Sequence, residues 1–257
     1  MFREFLEKLT RRGRGPERIT GLPTSSNRAS SFHLYWDVPP VPLAEVRATI
    51  EVIEAPTVDR LYFWALQANF EHDGVSRGGA HFGLQHHPDY PQAGAVNWGG
   101  YHAGGGELDG SISELPSALG NVNTRTYRWH PRRKYRYRIY RSPERGWRGS
   151  ITDLGDPSTP ETVVRDLWVE GDNLIGPMVW TEAFADCGEP AAAVRWTDLE
   201  AITTGGDAHR VTSVRINYQS HADGGCANTN IEVDGGGFVQ RTGTDRHTST
   251  GSILLLG

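Results

Sequence analysis

The 257-residue chain reads as all-β, a two-sheet antiparallel sandwich, on three observations. Short apolar runs with period-two alternation recur about every ten to fifteen residues from Ser31 onward. Glycine (31 residues) and proline (15) punctuate them, and no long Ala/Leu/Glu/Lys-rich stretch follows residue 30. Successive strand side chains point to opposite faces, so this pattern suits strands buried on one side and joined by tight turns. The length lies within reach of one large sandwich, predicted over residues 31–257 behind a separate leader, residues 1–30.

In the leader, Phe2, Phe5, Leu6 and Leu9 follow helical spacing among charges, and R-R-G-R-G-P-E-R comes next. A short amphipathic helix or a flexible segment is expected there. Strands are then predicted at residues 32–36, 46–53, 62–70 and 79–85, the last two flanking the turn cue D-G. Residues 95–98, 111–113 and 124–129 follow, with a mobile connection at glycines 104–106. Residues 134–141 show the alternation most clearly: Tyr135, Tyr137 and Ile139 share one face, Arg136, Arg138 and Tyr140 the other. Predicted strands at 146–152, 162–169, 177–184, 194–202, 211–218, 229–233, 238–241 and 252–256 complete the series, with glycine turns at 205–206 and 235–237.

A net charge of −5 offers no global attraction to phosphate, which argues against a nucleic-acid partner. No run approaches the ~20 apolar residues of a membrane span. Lys8 and Lys134 are the only lysines against many arginines, as a GC-rich bacterial coding bias would produce. Cys187 and Cys226 are too few to build a zinc site. Both sit beside turn-forming segments, so they are expected to be spatial neighbours, either bridged or as two thiols. The charged start, M-F-R-E-F-L-E-K-L-T-R-R, lacks the apolar core of a secretory signal and favours the cytoplasm.

The stretch T-Y-R-W-H-P-R-R-K-Y-R-Y-R-I-Y-R, followed by G-W-R-G-S-I-T-D, resembles the central strands of concanavalin A-like jelly rolls, the fold of lectins, laminin G-like modules and several glucanases. There a W-x-P turn precedes a Tyr-rich strand and a hairpin; here those positions are Trp129, Pro131, Tyr135, Tyr137 and Trp147. The resemblance implies a jelly-roll winding. The chain as a whole also resembles a bacterial family of that architecture, which brings no activity with it.

Candidate chemistry concentrates between Tyr62 and Tyr101, where amides, imidazoles and indoles fall in neighbouring strands. Gln67, Asn69, His81, Gln85, Asn97 and Trp98 are expected to line a concave polar-aromatic groove that binds a neutral glycan, since amide and indole surfaces recognise hydroxyls and sugar faces. Two enzymatic alternatives use the same groove. A glycoside hydrolase would take Glu182 and Asp186, carboxylates on one strand face in V-W-T-E-A-F-A-D. A polysaccharide lyase, by resemblance to lyases on related jelly rolls, would take Gln85, His87 and Tyr218 for carboxylate binding and proton transfer. A sandwich that binds no small molecule, with these residues as core filler, is the remaining alternative. His81, His86, His87 and His102 crowd together without metal-site spacing, and no phosphate-binding loop is present, so neither metal nor cofactor is expected.

Overall fold

The structure, a computed structural model, describes residues 17–257. Its strands, in chain order, are β1 (Ser30–Trp36), β2 (Leu43–Glu54), β3 (Tyr62–His72), β4 (Val75–His86), β5 (Gly94–His102), β6 (Ser117–Ala118), β7 (Asn121–Thr126), β8 (Lys134–Arg141) and β9 (Trp147–Asp153). They continue as β10 (Thr162–Leu167), β11 (Asn173–Ala183), β12 (Ala193–Thr203), β13 (Ala208–Arg210), β14 (Ser213–Tyr218), β15 (Asn230–Asp234), β16 (Gly237–Arg241) and β17 (Ile253–Leu255). Among the described residues the only helical element is a 3-10 turn, Pro91–Ala93.

The protein is thus all-β and antiparallel, a curled sheet with two runs of pairing. One run is β17–β14–β1–β11–β3–β4–β5–β7–β6. The other is β15–β16–β12–β2–β8–β9–β10, with β13 added to β12. A single pairing, Leu174 with Leu43, connects them. Period-two alternation sends one side of each strand into a shared core: Phe32 and Leu34 of β1, Trp64 and Phe70 of β3, Trp98 of β5, Tyr137 of β8 and Trp196 of β12 belong to one buried cluster. Burying each such side chain contributes roughly 1.5–3 kcal/mol, so the two runs are held face to face as a sandwich.

Local turn chemistry sets the register that matters below. Between His72 and Val75 the chain turns on Asp73 and Gly74, at φ 50° and 73°. Two left-handed residues make the mirror-image turn whose twist matches a hairpin, which explains the D-G cue. The predicted strand at 111–113 is absent. That segment is held by one isolated bridge, Gly110 with Leu167, and by the Ser111 N–H donating to the Asp166 carbonyl at 2.8 Å. The very short β6 and β13 carry too few residues for periodicity to reveal.

Of the leader, residues 17–29 are described; the helical spacing at residues 2–9 lies outside the described residues. Residues 17–29 form neither helix nor strand but are strapped across the sandwich. The Cys187 N–H donates to the Gly21 carbonyl (2.9 Å), the Thr24 N–H to the Gly224 carbonyl (3.1 Å), and the Ala227 N–H to the Arg18 carbonyl (2.7 Å). Cys187 and Cys226, beneath this strap, are joined as a disulfide with Cα atoms 5.5 Å apart.

Candidate functional site

The face of the first run that points away from the core is built by the outward residues of β1, β11, β3, β4 and β5. Register stacks them in rows across the strands. Ser31, Glu182, Phe63, Gln85 and Ala95 form one row. His33, Trp180, Ala65, Gly83 and Asn97 form the next, then Tyr35, Met178, Gln67, His81 and Gly99. Phe63, Ala65, Met178 and Trp180 make a small apolar cluster of their own on this side. Trp180 is its centre, its ring 4.9 Å from Phe63, 5.8 Å from His81 and 6.3 Å from His33. Its indole N–H donates to Gln67 Oε1 at 2.8 Å.

Burial in this setting penalises charge. His33 and His81 are both pushed down to about 4 by desolvation and stand neutral near pH 7. Glu182 is raised above the usual carboxylate range by desolvation, an effect partly offset by the Asn27 Nδ2 amide donating to Oε1 at 3.1 Å. Gln85, 6% exposed, lies two strands away in the same row. Its Oε1 accepts the Tyr90 hydroxyl at 3.0 Å, which leaves the amide nitrogen as the atom available to a ligand. At about 4.8 Å per strand, the Glu182 and Gln85 backbones are roughly 10 Å apart. The intervening Phe63 ring leans against Trp180 and His81, in the neighbouring rows.

The structure brings Gln67, Asn69, His81, Gln85, Asn97 and Glu182 to one face. Asn97 is half engaged there, its Nδ2 donating to Thr124 Oγ1 at 2.9 Å while its Oδ1 is enclosed without a partner. Trp98 is not among them. It is fully buried in the sandwich core, with its indole N–H on the Trp147 carbonyl at 3.3 Å. Neighbours along a strand face opposite ways, so Asn97 and Trp98 could not share a groove.

The enzymatic alternatives built on sugars are corrected as well. Asp186 lies past the end of β11, where its Oδ1 accepts the N–H groups of Gly21 and Gly188, each at 2.8 Å, so it is a turn residue and no partner for Glu182. His87 follows the end of β4 in a turn, its Nδ1 accepting the Asp89 N–H at 3.1 Å. Tyr218 points to the core side of β14, with its hydroxyl bonded to the Ile231 N–H (2.7 Å) and Thr248 (2.7 Å). The lyase set is therefore dispersed. Among the described residues no group of three or more His, Cys, Asp or Glu could hold a metal ion.

Sequence reasoning missed Trp180, Phe63, His33, Tyr90 and Asn27. The first three were findable, because W-T-E in β11 places Trp180 and Glu182 on one face, and Phe63 and His33 alternate with core residues in β3 and β1. Asn27 and Tyr90 come from loops, where alternation carries no signal.

No family model matches the chain, and no curated protein matches it. It is similar in structure to scytalidoglutamic peptidase with a peptide-based transition-state analogue, at 12% identity over 86% of this chain and 98% of that one, with a TM-score of 0.41. A second structure of that peptidase, with a transition-state analogue inhibitor, gives 11%, 87%, 98% and 0.43. SCP-B, a member of the Eqolisin family of peptidases in complex with a tripeptide, gives 11%, 87%, 98% and 0.39. These likenesses carry no argument about chemistry. The burial of Trp98 in the core overturns the expectation of a neutral glycan in an indole-lined groove.

Proposed function

We propose that this face hydrolyses amide bonds of extended peptides, with Glu182 as acid/base and Gln85 as the amide that polarises the carbonyl. The observation that carries the reading is the single row holding Glu182 and Gln85 on either side of Phe63, with burial lifting the Glu182 pKa. One carboxylate flanked by an amide donor does not suit glycoside hydrolysis, which takes a pair of carboxylates. It does suit acyl transfer. The Glu182 carboxylate takes a proton from water, whose oxygen attacks the carbonyl carbon. The Gln85 Nε2–H donates to the oxyanion that forms, and the protonated Glu182 returns its proton to the departing nitrogen as the C–N bond breaks. Tyr90 on Gln85 and Asn27 on Glu182 orient the two groups. The Trp180 cluster offers apolar side chains a surface in the adjacent rows.

The test is digestion of an unfolded protein from pH 3 to 8 with peptide products read by mass spectrometry. Wild type is expected to cleave, and Glu182→Gln to lose about 10²–10⁴-fold in rate. No cleavage at any pH, or an unimpaired Glu182→Gln, would overturn the reading.

Two structural proposals accompany it. The chain passes between the two runs eight times, from β1 to β2, β2 to β3, β7 to β8, β10 to β11, β11 to β12, β13 to β14, β14 to β15 and β16 to β17, crossings that fit a jelly-roll winding. The Cys187–Cys226 pair suits an oxidising compartment, and thiol titration of unreduced, unfolded protein isolated from its source reports which compartment it occupied.

A further inference from the structure

Away from the Glu182 face, two arginines are buried without a counter-charge in contact. Arg165 of β10 is 3% exposed and Arg125 of β7 is 7% exposed. Neither makes an ion pair among the described residues, whereas Arg138, Arg148 and Arg195 of the second run each hold a carboxylate. The Nε atoms of both are enclosed and without a hydrogen-bond partner. Arg165 Nη1 reaches only neutral acceptors, Asn123 Oδ1 at 2.6 Å and the Val122 carbonyl at 3.2 Å.

The fold places them together. Arg125 sits opposite Val96, and Arg165 opposite Gly149, positions whose side chains face into the sandwich. Strands β7 and β10 belong to different runs and do not pair, and the two guanidinium groups lie near enough at the edge between the runs to repel each other. Burial lowers the Arg165 pKa, and Arg125 adds repulsion; Glu107 and Asp109 attract it from beyond ion-pair range. Taking an uncompensated cation out of water costs several kcal/mol, and here two are confined to one edge.

That edge opens on a bay of about 680 Å³ walled by Ser111, Ser113, Thr162 and Arg165. Ser111 Oγ accepts the Asp166 N–H (2.9 Å) and Ser113 Oγ the Leu115 N–H (3.2 Å), so both hydroxyl protons remain to be donated. Arg148, also on the wall, is committed to Asp166 through two bonds of 2.8 and 2.9 Å. The bay has the size of a small-molecule site.

We propose that the edge between β7 and β10 is an anion site, in which Arg165, on the wall of this bay, holds the oxyanion head of a small molecule, a carboxylate or a phosphate, and the buried charge of Arg125 behind it adds to the attraction. Guanidinium forks match both heads with paired hydrogen bonds. Four carboxylates line the bay: Glu161 and Asp166 are neutralised by Arg138 and Arg148, whereas Glu114 and Glu144 stand exposed and repel extended polyanions, so the ligand is small and singly headed.

The experiment follows the arginine Nε–H resonances of the full chain by ¹⁵N NMR during titration with acetate and with inorganic phosphate, at constant ionic strength held by chloride. Saturable movement of the Arg165 and Arg125 signals is expected, with acetate and phosphate distinguishing the two heads, and at least tenfold weaker binding in Arg165→Lys. Absence of saturation with either anion, or equal affinity in Arg165→Lys, would overturn the site and leave Glu107 and Asp109 as the compensation. Should Arg165→Lys not fold, the wild-type titration and Ser113→Ala, expected to bind more weakly, decide the matter.

Discussion

Glu182 and Trp98 show how a side chain's surroundings decide its use. Burial raises the folded pKa of Glu182 above its unfolded value. From about the ordinary carboxylate value upward, the folded state therefore binds more proton than the unfolded one, and stability falls as pH rises through that window. Glu182→Gln removes the ionisable group, so thermal unfolding should show the variant gaining stability over wild type at pH 7 and little at pH 4, even as activity is lost. Cleavage that needs the carboxylate form should rise with pH through the same raised pKa. Trp98→Ala acts by a different route. It empties a fully enclosed indole site and should cost about 3–5 kcal/mol in denaturant unfolding, against no effect expected of a solvent-exposed binding residue. The placement of Gln85 in a strand was readable from L-Q-H-H, whereas Trp98 was misplaced because its neighbour Asn97 was allowed the same face.

At the scale of elements, β11, β3 and β4 matter as a set, since the Glu182–Phe63–Gln85 row exists only in the observed register. A slip of one residue sends the row into the core. The Asp73–Gly74 turn pins β3 to β4; Gly74, at φ 73°, is a position where a side chain is strained. Gly74→Val is expected to destabilise by about 1–2 kcal/mol. The strap at residues 17–29 has a different anchor. The Cys187–Cys226 bridge spans 39 residues and lies where Gly21 meets Cys187, so replacing both cysteines by serine should cost about 4 kcal/mol, measured by denaturant unfolding, and should weaken the hold of Asn27 on Glu182.

Across the whole molecule, neutral imidazoles on the face that carries Glu182 couple acidity to stability. His33 and His81 titrate near 4 when folded and near 6.5 when unfolded. Between these values the unfolded state binds more protons, so this contribution is complete above about pH 6.5, erodes as pH falls toward 4, and changes no further below. Thermal unfolding across pH 3–8 checks it: the double variant His33→Phe/His81→Phe should lose the acid slope in that interval. The all-β class, most strand positions, the D-G hairpin and the closeness of the two cysteines were legible in the sequence by itself, because alternation and turn chemistry are local properties. Glu182 and Gln85 were legible as candidates, each on a recognisable strand. Only the tertiary structure decided that Glu182 and Gln85 share a row, that Asp186 caps a turn and Tyr218 faces the core, and that Arg125 and Arg165 are both buried near enough to repel each other. Those facts depend on which strands become neighbours and in what register, and long-range pairing is set by the packing of the entire core, not by any local run of residues.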